Sequence, residues 1–313
     1  MKILVFGAGA IGSVLGGFLA RMGHDVSLLG RPRHLDKIAK DALCIGGIWG
    51  DFRTKAFTLY RSSSEIPRDA AFDLVLLTVK SFDTEKAVDE LVPLLDTGAR
   101  HAAPLLVSFQ NGLGNIETIL KKIPADRYLA GRAIFGADLE PGVVIITVNA
   151  DDLVIGALPG TRPIVDAETI AQVFRLAKLP TRAVPDILTH VWAKVIYNCA
   201  LNGICALHEI PYGAILKDSG LKAWMEAIVR ECYAVGLKKG VALKPPNAAD
   251  FLRLLEDELI PKTAAHYPSM LRDLKRGRPL ELDALNGAIA RIGEDLGMPT
   301  PANKKLIESL KNK

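Results

Sequence analysis

The chain opens Lys2-Ile3-Leu4-Val5-Phe6-Gly7-Ala8-Gly9-Ala10-Ile11-Gly12-Ser13-Val14-Leu15, and the reading of this stretch decides the fold. Ile3–Phe6 is a short apolar run with the length of a buried strand. Gly7-Ala8-Gly9-Ala10-Ile11-Gly12 follows it directly and fits GxGxxG. Alone the pattern is weak. After a strand and at the opening of a helix it gains weight. There Gly7 permits the tight turn, Gly9 lets the backbone approach a pyrophosphate, and Gly12 lets helix and strand pack closely. Phosphates would rest on unpaired N–H groups at the helix N-terminus. Gly7, Ala8, Gly9, Ala10, Ile11 and Gly12 are therefore candidate dinucleotide contacts. The plain alternative is a glycine-rich turn that holds nothing.

The same stretch invites a second reading. Ile3–Ala20 is eighteen residues without a charge, and Ala8-Gly9-Ala10 imitates a signal cleavage site. Five of the eighteen are glycine, and the only unbroken run of large apolar residues is Ile3–Phe6. A signal h-region needs about 7–15 such residues. A soluble, cytoplasmic chain with no membrane partner is the expectation. Composition agrees: the 313 residues are 49% apolar and 24% charged, an ordinary globular balance. The net charge, 39 − 35 = +4, is too mild to argue for nucleic acid, and no basic-aromatic stripe appears. Cys44, Cys199, Cys205 and Cys232 form no CxxC pair, and no His falls at zinc spacing, so no metal is expected. Lys304, Lys305, Lys311 and Lys313 read as a frayed, solvated C-terminal helix.

Working outward, short apolar runs alternate with amphipathic ones. Lys2–Phe6, Asp25–Leu29, Asp73–Val79 and Leu105–Phe109 read as buried strands. Helical patterns fall at about 10–22, 33–40, 82–95 and 112–121. Such alternation implies a parallel sheet with helices on both faces. Two apolar runs flank Glu140-Pro141-Gly142 and suggest a hairpin, with Leu153–Gly156 as a further short strand. After Pro185 strand patterns give way to long helices at about 187–206, 219–239, 247–259 and 280–296. The fold expected is α/β. A Rossmann-type doubly wound sheet over residues 1–184 precedes an all-helical C-terminal domain over 185–313.

The end of the second strand selects the dinucleotide. An NAD reader places Asp or Glu there for the ribose 2′-OH. This chain has Leu29-Gly30-Arg31, and an Arg suits a 2′-phosphate, so NADP(H) is expected. Arg33 and His34 either assist or are solvated loop residues. Lys80 closes a strand on the ligand edge, as a cofactor contact or a snorkelling surface lysine. Gln110-Asn111-Gly112 follows the next strand at that edge, and Asn111 is either a ligand contact or half of a plain Asn-Gly turn.

A polar row crosses the apolar segment His190–Leu207. Lys194, Asn198 and Asn202 are spaced i, i+4, i+8 and share one helical face for about 12 Å. Buried, they need partners, and a carboxylate-bearing ligand supplies them. The alternative is a solvent strip. His190 extends the row backward and reads as a helix-start residue. Glu281 sits between apolar residues after a proline, as a functional carboxylate or one that favours a helix macrodipole.

Together these residues resemble the ketopantoate reductase family, the 2-dehydropantoate 2-reductases, over essentially the whole chain. The resemblance rests on Gly7–Gly12, Arg31, Lys80, Gln110–Gly112, the Lys194–Asn198–Asn202 row, and Ser269 twelve residues before Glu281. It implies a site for NADPH and a 2-oxo acid in the cleft between the domains, with Lys194 as proton donor. It maps substrate contacts to Asn111, Asn198, Asn202 and Ser269, Glu281 near both cofactor and substrate, and Ala137 to the cofactor. It also implies that the helical half can supply a homodimer face. Three positions depart from the pattern: Gly203 where proline is usual, Leu280 where Thr is common, and Tyr212 where a polar substrate contact is expected. Two alternatives to ketopantoate reduction stand beside it: a reductase of another 2-oxo acid, and an NADP-binding sensor without turnover.

Overall fold

The computed structural model describes residues 1–95, 103–161, 163 and 165–313. The described chain divides into two units: Met1–Gln110 with Asn115–Ile187, and Asn111–Gly114 with Leu188–Lys313.

The first unit is built on a ten-stranded sheet. Its strands are β1 (Lys2–Phe6), β2 (Asp25–Leu29), β3 (Leu43–Gly47), β4 (Phe52–Thr54), β5 (Phe57–Tyr60), β6 (Leu74–Leu77), β7 (Leu105–Ser108), β8 (Tyr128–Glu140), β9 (Val143–Gly156) and β10 (Thr181–Ala183). They lie in the order β4-β3-β9-β8-β7-β6-β1-β2-β5, with β10 beside β9. From β5 across to β8 every pairing is parallel. Helices α1 (Ala10–Arg21), α2 (Pro32–Asp41), α3 (Thr84–Leu95), α4 (Asn115–Leu120) and α5 (Ala167–Leu176) occur between strands. The α/β fold expected from the alternation is the one observed.

Register explains where ligands meet this sheet. Phe6 pairs with Leu29 on one side and Leu77 on the other, and Leu77 pairs with Ser108. The carboxyl ends of β1, β2, β6 and β7 are thus level. Gly7, Arg31, Lys80 and Gln110 all follow within three residues of those ends. In open α/β sheets this is the edge that binds ligands.

The charge-free opening has a packing cause. Ile3–Phe6 is buried, and so is every residue of α1 from Gly12 to Ala20. No position in those two stretches faces enough water to carry a charge cheaply. The one polar group there, Ser13, is bonded to His34 Nε2 at 3.0 Å.

Four expectations are corrected. Leu153–Gly156 is the end of the 14-residue strand β9, not a strand of its own. The strands β3, β4, β5 and β10 were not expected. They are three to five residues long, too short to show a period. His34 is neither loop nor solvated: it lies in α2, is buried, and accepts a hydrogen bond from Gly142 N on Nδ1 at 3.0 Å. The C-terminal helix is docked, not frayed, as described next.

The second unit is helical. It holds α6 (Ile187–His208, its first residue counted with the sheet), α7 (Ser219–Lys238), α8 (Ala248–Leu254), α9 (Ile260–Lys262), α10 (Ser269–Lys275), α11 (Asn286–Asp295) and α12 (Pro301–Lys311). Leu255–Leu259 forms a wider π turn between α8 and α9. A core of its own surrounds α6, with Val195, Ile196, Cys199, Ala200, Ile204 and Leu306 buried. On α12, Leu306 and Leu310 are buried, and Lys305 lies over the Trp224 ring at 4.6 Å. Gly203 admits this helix, since a Cβ there would meet Leu306 Cδ2 at 2.6 Å. The carboxylate of Glu231 on α7 accepts from Ala302 N at 2.7 Å and Asn303 N at 3.0 Å, capping the start of α12. A negative charge at a helix N-terminus is favourable.

Among the described residues, no helix is long and apolar enough to cross a membrane, and no cluster of His, Cys, Asp or Glu is arranged to hold a metal ion.

Candidate active site

In the first unit the glycine turn is built to close tolerances. Gly7 has φ +112°, and a Cβ on it would lie 2.7 Å from Val79 N. A Cβ on Gly12 would collide with Gly7 O. Neither position admits a side chain. Around Gly9 the space is open, with the nearest atom 4.0 Å from a Cβ position. The chain is thus tight on its protein side and open where a pyrophosphate would approach. The N–H groups of Gly7 and Ala8 are used on Leu29 O, at 3.0 and 2.8 Å. Those of Ala10, Ile11 and Gly12, at the start of α1, have no intrahelical acceptor. Gly9, the residue before the helix, offers no side-chain cap. This cradle fits a dinucleotide phosphate.

Arg31 precedes α2 and is exposed, with extended backbone. Lys80 is half-buried at the end of β6, at the entry to a 3-10 turn. Ala137 lies half-buried in β8, beside a register shift between Gly136 and Ala137. Thr78 had no signature in the sequence, yet its hydroxyl donates to Gly7 O at 2.7 Å and holds the glycine turn.

In the second unit, Lys194, Asn111 and Glu281 come together from three separate places in the chain. Lys194 Nζ donates to Asn111 Oδ1 in a short bond of 2.5 Å. Asn111 Nδ2 faces Glu281 Oε2 at 3.4 Å. Glu281 opens a 3-10 turn, Glu281–Ala284, and is only 8% exposed. The Asn111 amide therefore bridges a cation and a buried carboxylate. Gly112 makes the bridge possible. It has φ +88°, and a Cβ would lie 2.5 Å from Ala284 O. Leu113 N donates to that same Ala284 O at 2.8 Å. The Asn-Gly pair is a turn pressed against the Glu281 turn, which spacing alone did not reveal.

Asn198 and Asn202 continue along α6, 8% and 7% exposed. The solvent-strip alternative does not hold for two amides so buried. Among the described residues Asn198 has no side-chain hydrogen bond. Asn202 Oδ1 accepts from the Tyr212 hydroxyl at 2.6 Å. Ser269 is the first residue of α10 and half-buried, with no side-chain hydrogen bond to the row. His190 lies on the first turn of α6. Tyr212 is itself buried, and burial pushes its phenol well above the usual value, so it remains a donor. Its hydroxyl is committed to Asn202.

A sequence model described as "Ketopantoate reductase PanE/ApbA" matches residues 3–160, and one described as "Ketopantoate reductase PanE/ApbA C terminal" matches residues 186–313. The chain belongs to the ketopantoate reductase family. It is 35% identical to the 2-dehydropantoate 2-reductase of Aquifex aeolicus (strain VF5), over 100% of this chain and 97% of that one. Among solved structures it is similar to a PanE/ApbA family ketopantoate reductase from Ralstonia eutropha JMP134. That likeness has TM-score 0.84 and 32% identity, covering 99% of this chain and 97% of the other. It is also similar to D-mandelate dehydrogenase in a ternary structure with NADH and anilino(oxo)acetate. There the TM-score is 0.88 and the identity 26%, covering 100% and 97%. As a ketopantoate reductase family member this chain is an oxidoreductase that uses a nicotinamide cofactor and a small-molecule substrate.

Proposed function

We propose that the chain reduces 2-dehydropantoate to pantoate with NADPH, in pantothenate and coenzyme A biosynthesis in the cytoplasm. The observation that carries the reading is Lys194 held through Asn111 to the buried Glu281. Its relatives named 2-dehydropantoate 2-reductase support the substrate. In this reading residues 1–184 bind NADP and residues 185–313 bind the 2-oxo acid and form a homodimer face. Gly7–Gly12 hold the pyrophosphate, Arg31 the 2′-phosphate, and Lys80, Asn111, Ala137 and Glu281 the rest of the cofactor.

When bound, NADPH supplies a hydride to the C2 carbonyl of the substrate. Lys194 stabilises the negative charge that grows on the carbonyl oxygen and donates the proton to it. Glu281 holds Lys194 in place through the Asn111 amide. Asn111, Asn198, Asn202 and Ser269 hold the substrate's carboxylate and hydroxyl groups so that C2 presents one face.

The test is NADPH and NADH oxidation across a panel of 2-oxo acids. Ketopantoate with NADPH is expected to give the highest kcat/KM. Lys194→Ala is expected to lower kcat by about 10²–10⁴-fold, with NADPH affinity and thermal midpoint unchanged. Near-wild-type turnover would remove Lys194 as the proton donor. One observation favours a second reading: the likeness to D-mandelate dehydrogenase suggests an aryl 2-oxo acid as substrate. The same panel decides it. NADPH binding without oxidation of any member would indicate a sensor.

A further inference from the structure

The two asparagines of the α6 row are held differently. Asn198 has no side-chain hydrogen bond among the described residues. Asn202 is tied by its carbonyl end to Tyr212. Tyr212 in turn has little freedom. Its ring stands edge-on to Tyr197, with centroids 5.8 Å apart, and to His266, 5.2 Å away. Tyr197 is fixed by a 3.0 Å bond to the Thr263 hydroxyl. The backbone is pinned as well, with Tyr212 N on His266 O at 3.1 Å and Gly213 N on Ala264 O at 2.9 Å.

An amide has an accepting end and a donating end. A buried phenol can only donate to it well when the oxygen faces the phenol. With Oδ1 turned to the phenol, Asn202 directs its two N–H donors away from Tyr212, and these have no acceptor among the described residues. We propose that Tyr212 is a positioning residue that locks Asn202 with its N–H groups outward. The N–H side of this amide then favours a substrate group with lone pairs to offer, a carboxylate or a hydroxyl or keto oxygen. Asn198, without a lock, can present either end. The inference rests on the proposed 2-oxo acid reduction and adds a polarity to one part of that site.

Three variants and one double variant test it, with the 2-oxo acid that wild type reduces best. Y212F keeps the ring and removes the hydroxyl. It is expected to raise the substrate KM by about 3- to 10-fold, the scale of one neutral hydrogen bond. Its kcat should stay within about threefold, and its KM for NADPH should not change. N202A is expected to raise KM by about 10- to 100-fold, as for a bond to a charged group. On that background Y212F should change KM less than about twofold, since the amide it positions is gone. N202D still accepts from Tyr212 but turns an anionic oxygen outward, so its KM should exceed that of N202A. Independent, multiplying effects of Y212F and N202A, an unchanged KM in Y212F, or an N202D that binds better than N202A would each overturn the lock. Should Y212F fail to fold, the comparison of N202D with N202A carries the decision. A wild-type protein that reduces no 2-oxo acid is a different result. It removes the parent reading, and the lock with it.

Discussion

Lys194, Asn111 and Glu281 are each an ordinary residue type, and it is the bridge between them that makes them a candidate site. The row on α6 and the residue types around it were legible from spacing and resemblance. The bridge was not, because residues 111 and 281 lie far apart in sequence and no pattern reports a contact between turns. Tyr212 illustrates the same limit. From sequence it stands at an expected substrate contact, whereas its hydroxyl is spent on a neighbouring amide. At the cofactor end, Arg31 is exposed next to the start of α2, ready for an anion. Arg31→Ala is expected to raise the KM for NADPH at least about tenfold, the loss of one charge-assisted contact. The KM for NADH should change little. Equal losses with both cofactors would contradict the assignment of Arg31 to a 2′-phosphate.

Among elements, the long regular ones were readable and the short ones were not. β1, α1, β2 and α6 announce themselves by apolar runs or by helical period, and their limits fall within two residues of expectation. β3 to β5 have three to five residues each and take their stability from neighbours in the sheet, so local sequence carries little of it. The turn at Gly112 is a small element with a large effect. Gly112→Ala meets both a left-handed backbone and the Ala284 carbonyl. The expected outcome is a kcat/KM loss of about tenfold or more, with the KM for NADPH less affected. A fully active, equally stable variant would show that the turn has room to spare. The cap on α12 makes a separate prediction about stability. Glu231→Ala leaves two helix-start N–H groups and the Asn303 amide without their acceptor. Unfolding free energy should fall by about 1–3 kcal/mol, measured by urea titration. A change under about 0.5 kcal/mol would mean that water replaces the carboxylate without cost.

For the molecule as a whole, the modest surplus of charge says little, while a few buried groups set how stability responds to pH. Burial pushes the imidazoles of His34 and His266 below the usual value. In the unfolded chain they take up protons near pH 6.5; in the fold they resist. As pH falls below about 6.5 the unfolded state binds more protons, and stability drops until the folded groups titrate too. Asp151 adds to this at lower pH. Burial raises it, but its hydrogen bond and ion pair with Arg132 outweigh burial and hold it low. Its contribution is present above the usual carboxylate range and is lost as pH falls through its depressed value. The urea midpoint should therefore be lower at about pH 5.5 than at about pH 8. His34→Gln should flatten that difference, and a midpoint that does not move with pH in wild type would contradict the account.

The four residues Asn111–Gly114 group with the helices, although the chain on either side of them groups with the sheet. The polypeptide therefore passes from one unit to the other three times, and the helical part is not a continuous length of gene. A fragment starting at Leu188 would carry Lys194 and Glu281 without the amide that joins them. Shuffling halves between relatives at the natural-looking joint near residue 187 would pair each helical half with a foreign Asn-Gly turn. Such chimaeras would take the lysine from one parent and its amide partner from the other, so the bridge would be reassembled from two sources.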